Sequence, residues 1–292
     1  MTMPDELPDR CESLSAADER VIVLLDDSPE SLHALETAAG LARGRQGTLL
    51  GLFVEELDLV RSAGFAFAGE VGATSGQVRQ RAPGHMDSDI RRRLRQVRLA
   101  LEQTTSASGI EHELIVRRGR VVEEILSLSG PGDLLIVGRV GWSRRLGRSM
   151  GSVPLALARA APGAVLIWTV SPPRPQGRIA VLAENGSTLA SALAVARERA
   201  ALHQCGVSIM LPPGLTPEQV EAVRHQTSTA LDPADVPHDI RALTAANPAS
   251  LMHALGQARA IELILSRRGR LLNDPAGARL LERIRLPVCV AP

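Results

Sequence analysis

The sequence predicts an α/β fold: two tandem copies of one alternating unit, each a five-stranded parallel sheet with helices on both faces. Two observations predict it. Short, continuous apolar runs alternate with stretches of helical period, and such runs belong to strands buried on both faces rather than to half-exposed ones. After a proline-rich break at 171–177 (SPPRPQG) the same pattern starts again. The 292 residues have room for two domains of ordinary size. The expected layout is a leader over 1–19, a first domain over 20–172 and a second over 178–292.

In the first copy, VIVLL between Arg20 and Asp26 is the opening strand. Asp27, Ser28, Pro29 and Glu30 form a helix-start signal, and Leu32, Leu35 and Ala39 continue it as a stripe closed by Gly44 and Gly47. A second strand spans 48–55. The Gly- and Ala-rich stretch 58–86 has no clear period and reads as a long loop or lid. Helix period returns over 88–104, with Ile90, Leu94, Val97 and Leu101 on one face and arginines on the others. A strand follows at 111–117, a short helix from Val121, and a strand over 133–138. A glycine-rich loop then leads to a helix expected to be capped by Ser152, with Pro154 in its first turn, and to a fifth strand over 164–170.

The second copy repeats the spacing of Arg20 and Asp26 as Arg178 and Glu184. It repeats the glycine loop imperfectly. Gly138 becomes Ser266, Gly141 is kept as Gly269, the next glycine (Gly277) comes two residues early, and Ala278 replaces Ser152.

Composition removes several functions. The net charge of +1 lacks the basic excess of a nucleic-acid binder, so the Arg-rich helix is read as a solvated face. No apolar run reaches the roughly 20 residues that span a bilayer, and the polar, acidic start lacks a signal-peptide pattern. The expectation is a cytoplasmic protein without membrane insertion. Cys11, Cys205 and Cys289 are far apart, and the seven histidines show no ligand spacing, which supports neither a disulfide framework nor a metal site. Cys289 reads as a small buried strand residue and Cys11 as an exposed thiol. The chain has no Lys and no Tyr. Any phosphate must therefore be held by Arg, backbone N–H groups and hydroxyls.

The segment 138–152, GRVGWSRRLGRSMGS, carries that chemistry. It leaves a buried strand and enters a helix, where open α/β sheets bind ligands. Its glycines let N–H groups approach an anion, and the helix N-terminus adds partial positive charge. Arg139, Arg144, Arg145 and Arg148 add cations with no acidic residue among them, which suits a polyphosphate. A competing motif, GxSxG around Ser149, would be a hydrolase nucleophile with Asp232 or Asp235 and His253. That elbow requires its Ser directly after a strand, and Ser149 is most of a loop away.

The spacing Gly138, Gly141, Gly151, Ser152 resembles the G-x2-G-x9-G-[ST] motif of the ATP-binding branch of the universal stress protein family, and VIVLLDDSPESLHAL resembles that family's first strand and helix. The resemblance covers about 20–170 and, more weakly, 178–292. It implies a tandem form of a Rossmann-like (adenine nucleotide alpha hydrolase-like) fold, with strand order 3-2-1-4-5 and ATP, with or without Mg²⁺, at the junction of strands one and four. By that resemblance Leu24 and Asp26 border the adenosine and Leu52 meets the adenine. Val137 and Gly138 lie beside the ribose and phosphates, and Gly141, Gly151, Ser152 and Val153 hold the phosphates. Arg144, Arg145 and Arg148 add charge from the loop. The family also implies binding with little turnover and pairing through last strands, here as a pseudo-dimer within one chain, with further homodimerisation and an unidentified protein partner. The second copy is expected not to bind ATP as the first does. The alternatives are a nucleotide-independent scaffold and a slow ATP hydrolase using Asp26 and Asp27.

Overall fold

The computed structural model describes residues 19–26, 28–56, 69–71, 78–80, 85–106, 109–139, 151–170, 176–184 and 186–292. The first half runs β1 (Val21–Leu24), α1 (Pro29–Arg45), β2 (Leu49–Glu56), β3 (Gly69–Val71), β4 (Val78–Gln80), α2 (His85–Ser106), β5 (His112–Gly119), α3 (Val121–Leu128), β6 (Leu134–Gly138), α4 (Ser152–Ala160) and β7 (Ala164–Trp168). The second runs β8 (Arg178–Leu182), α5 (Gly186–His203), β9 (Val207–Leu211), α6 (Pro217–Leu231), β10 (His238–Ala242), α7 (Pro248–Gln257), β11 (Ala260–Ser266), α8 (Arg270–Asn273), α9 (Pro275–Leu281) and β12 (Val288–Ala291). Cys11 and Asp27 lie outside the described residues, as does most of 58–84, where β3 and β4 form a small antiparallel pair.

The first half orders its strands β5-β2-β1-β6-β7 and the second β10-β9-β8-β11-β12, so each half has the arrangement 3-2-1-4-5. Pairing between these strands within each half is parallel. Between the halves, β7 and β12 pair antiparallel with Leu166 opposite Cys289, making one ten-stranded sheet.

Period-two alternation assigns each strand residue to a face. Val21 and Val23 join the core under α1, α2, α5 and α6, while Ile22 joins the opposite core under α3, α4 and α7 to α9. Cys289 is fully buried in the first of these.

Helix ends follow local chemistry. Ser28 caps α1, its Oγ accepting from Ser31 N–H at 3.1 Å, with Pro29 in the first turn. The helix closes through Gln46, which takes the left-handed conformation (φ 54) expected of a glycine. Gly47 serves another purpose, since a Cβ there would collide with the Glu19 carbonyl.

Arg20 anchors β1 by a bidentate pair with Asp133, Nε to Oδ1 at 2.9 Å and Nη2 to Oδ2 at 2.6 Å. Its sequence equivalent Arg178 turns the other way, donating to Ser208 Oγ and Val207 O. The halves share a frame without sharing every contact.

Candidate functional site

In the first half the crossover direction reverses between β1 and β6, which are adjacent in the sheet. The crevice beyond the carboxyl ends of such a strand pair is the usual ligand position of an open α/β sheet. Leu24 pairs with Leu52 across β1 and β2, and Val137 and Gly138 end β6 beside β7. The strands therefore bring Leu24, Leu52, Val137 and Gly138 together.

Their exposure separates them. Leu52 and Val137 are fully buried core residues, whereas Leu24 is half-buried at the rim of the same core. Val54 lies two residues beyond Leu52 on the same face, is also half-buried, and packs on that core. Continued alternation along β2 is the signal that would have found it. Val153, from the first turn of α4, packs there too.

Asp26 stands two residues past the end of β1. Its Oδ1 accepts from Ser28 Oγ at 2.6 Å and from Ser28 N–H at 3.2 Å, and its own N–H donates to Ser31 Oγ at 3.3 Å. This Asx-type turn sets the start of α1. Gly138 abuts that turn: a Cβ built on it would lie 3.6 Å from Glu30 Cβ and 3.8 Å from Ser31 N.

Gly151, rather than Ser152, is the N-cap of α4; Ser152 is the first helical residue and is exposed. Gly151 has no side chain to cap α4, so the reading of Ser152 as the cap gives way to an exposed hydroxyl in the first turn of the helix. Gly151 N–H donates to Arg139 O at 3.1 Å, which closes the two ends of the glycine loop on each other. Gly141, Arg144, Arg145, Arg148 and Ser149 lie outside the described residues.

Arg139 differs from the expectation of a loop cation. It is 4 % exposed and points away into the second half, where Nη1 donates to Ile284 O and Nη2 to Leu281 O at 2.7 Å. Desolvation, with Arg285 nearby, lowers its pKa against an opposing pull from Glu282. In sequence, its charge looked like that of its loop neighbours.

The second half closes its corresponding site with its own chain. Glu184 Oε1 accepts from Leu271 N–H at 3.0 Å, and a Cβ on Gly269 would collide with Glu184 Oε2. A Cβ on Gly277 would collide with the Leu271 carbonyl. Ser266, in the place of Gly138, is buried, and its Oγ has no hydrogen-bond partner among the described residues. In the first half, by contrast, the nearest atom among the described residues to a Cβ on Gly151 would be Pro154 Cδ at 3.4 Å, an ordinary contact.

Against known sequences, the model of the universal stress protein family matches residues 19–169, more than half of the chain. The chain belongs to this family. Among solved structures, it is similar to a universal stress protein from Archaeoglobus fulgidus DSM 4304 (15% identity, 93% of this chain and 95% of that one, TM-score 0.67). It is also similar to a protein from Pseudomonas aeruginosa UCBPP-PA14 (17% identity, 94% and 93%, TM-score 0.59) and to a functionally unknown protein from P. aeruginosa PAO1 (17% identity, 94% and 92%, TM-score 0.57). At these identities the likeness is one of fold, and it extends over both halves. None of the curated proteins compared with the chain matches it.

Proposed function

We propose that the first half binds an adenine nucleotide, ATP in the first instance, and that this universal stress protein acts as a nucleotide-responsive regulator with little turnover. The nucleoside would lie over Leu24, Val54 and Asp26 at the ends of β1 and β2, with Leu52 and Val137 supporting from beneath. The phosphates would sit between Gly138 and the start of α4, held by Gly141, Gly151, Ser152 and Val153, with Arg144, Arg145 and Arg148 offsetting their charge, with or without Mg²⁺.

One contrast carries this reading. Among the described residues, Gly138 and Gly151 have room for a Cβ and nothing requires glycine there, whereas Gly269 and Gly277 are hemmed in by Glu184 and Leu271. A glycine that its own protein does not need suits close approach by a ligand. A helix start at α4 whose N-cap residue is a glycine and the absence of any Lys from the chain fit backbone-led phosphate binding.

The test is calorimetry on nucleotide-free protein with ATP, in the presence and absence of Mg²⁺. One equivalent per chain is expected, lost in Gly151→Val. A wild-type protein with no binding under either condition would leave the scaffold reading, for which the self-closed second half is the favouring observation.

A further inference from the structure

Arg139 sits at the stem of the loop that the nucleotide reading rests on. Its N–H donates to Trp168 O at 2.8 Å, and its carbonyl accepts from Gly151 N–H. One residue therefore ties the end of β6, the neighbouring β7 and the start of α4 together. Its guanidinium donates to the carbonyls of Leu281 and Ile284, at and just beyond the carboxyl end of α9. The last carbonyls of a helix have no partners within it, and a cation there also meets the negative end of the helix dipole. The stem of the first half's loop is thus bolted to the end of the second half's last helix.

Among the described residues, neither guanidinium bond is to a carboxylate, so the groups it donates to do not neutralise the buried cation. Burying a guanidinium against neutral carbonyls has a desolvation cost, and a residue serving only as loop charge would avoid it by facing solvent. Arg267 holds the same place in the second half and reaches back, with Nε to Ala158 O at 2.9 Å and Nη2 to Gly163 O at 2.5 Å. These carbonyls are within and just beyond α4, the helix whose N-cap is Gly151. Both ends of α4 are therefore referenced to the second half: its start through Arg139, its finish through Arg267.

We propose that Arg139 is a positioning residue through which the self-closed second half sets the nucleotide affinity of the first. Displacing the end of α9 moves the loop stem and changes affinity, and by linkage nucleotide binding must steady the end of α9. This rests on the nucleotide reading above.

The test compares Arg139→Met, which retains an unbranched stem without the donors, with Arg45→Met. Arg45 joins the halves through a bidentate pair with Glu198 at 2.6 and 2.8 Å. It lies at the far end of the 17-residue α1, roughly 25 Å from the loop at 1.5 Å per residue. ATP affinity is read by calorimetry and exchange of the Gly151 amide by hydrogen–deuterium exchange. Arg139→Met should weaken ATP binding about tenfold, within the usual range of coupling, and speed Gly151 exchange, while Arg45→Met leaves both near wild type. Equal losses in the two variants would mean general loosening of the interface and overturn the proposal, as would unchanged affinity and exchange in Arg139→Met.

If wild-type protein binds no ATP, the nucleotide reading fails. Gly151 exchange then decides alone whether Arg139 anchors the stem. Should Arg139→Met fail to fold, the wild-type protein supplies the answer: added ATP must slow amide exchange over 281–286, and no change there would overturn the coupling.

Discussion

The carboxylate of Glu184 accepts a hydrogen bond from Leu271 N–H at 3.0 Å, across 87 positions of sequence, and lies against the α-carbon of Gly269. Its counterpart Asp26 turns back on Ser28 instead. Burial pushes the Glu184 pKa up, and the backbone N–H groups of Leu271 and Arg270 and the Arg270 charge only partly offset it. A carboxyl whose pKa is higher folded than unfolded binds more protons in the folded state, so its contribution falls as pH rises through that window. Glu184→Gln keeps the acceptor without the charge. It should raise the melting temperature at pH 7 to 8, and the gain should disappear below about pH 4, where the wild-type carboxyl is protonated as well. A pH-independent difference in thermal melts would show that ionisation of Glu184 is not what costs stability.

Glycines in the two halves should respond oppositely to a single methyl. Gly151→Ala meets Pro154 Cδ at an ordinary 3.4 Å. Its φ of −61° suits alanine, so stability should stay within about 1 kcal/mol of wild type or rise slightly. ATP affinity should nonetheless fall, because the methyl enters space assigned to phosphate. Gly277→Ala drives a methyl into the Leu271 carbonyl and should cost about 1–3 kcal/mol. Denaturant melts and calorimetry on the same samples separate the two effects.

Much of this architecture is legible in the residues because the apolar runs behave locally. VIVLL divides its side chains between the two cores by alternation alone, and Ser28-Pro29 marks the start of α1. The contacts that decide the site are not local. Nothing in GRVGWSRRLG separates Arg139 from the arginines after it, because its partners are carbonyls more than 140 residues away. The substitution of Asp26 by Glu184 was visible as one methylene, but its effect depends on where Leu271 N–H lies. The resemblance sets Leu52 against the adenine, whereas β2 runs on to Glu56 and leaves Leu52 fully buried within the core.

The contacts joining the halves should differ in strength according to burial. Arg267 donates to carbonyls at the end of α4, and its removal leaves part-buried acceptors unpaired at about 1–3 kcal/mol. Arg45–Glu198 joins α1 and α5 with Glu198 a third exposed, and water can replace the partner that is lost. Arg45→Met should cost no more than about 1 kcal/mol. Arg267→Met should therefore lower the urea midpoint more than Arg45→Met does. The reverse order would show that the carbonyl contacts are not what holds the halves together.

Within the second half, Arg199 and Glu262 form a buried ion pair, Nε to Oε1 at 3.0 Å, with side chains 2% and 5% exposed. The pair joins α5 to β11, and Arg199 Nη1 has no hydrogen-bond partner among the described residues. Two desolvated charges with one bond unsatisfied add little net stability, yet removing one partner strands the other. Arg199→Met should cost about 3–5 kcal/mol by leaving the Glu262 carboxylate alone in the core. The double variant Arg199→Met, Glu262→Leu should recover most of that loss, since it removes both charges and fills the space. A double-mutant cycle by chemical denaturation measures the recovery. If the double variant were as unstable as the single one, a stranded Glu262 carboxylate would not explain the single-site cost.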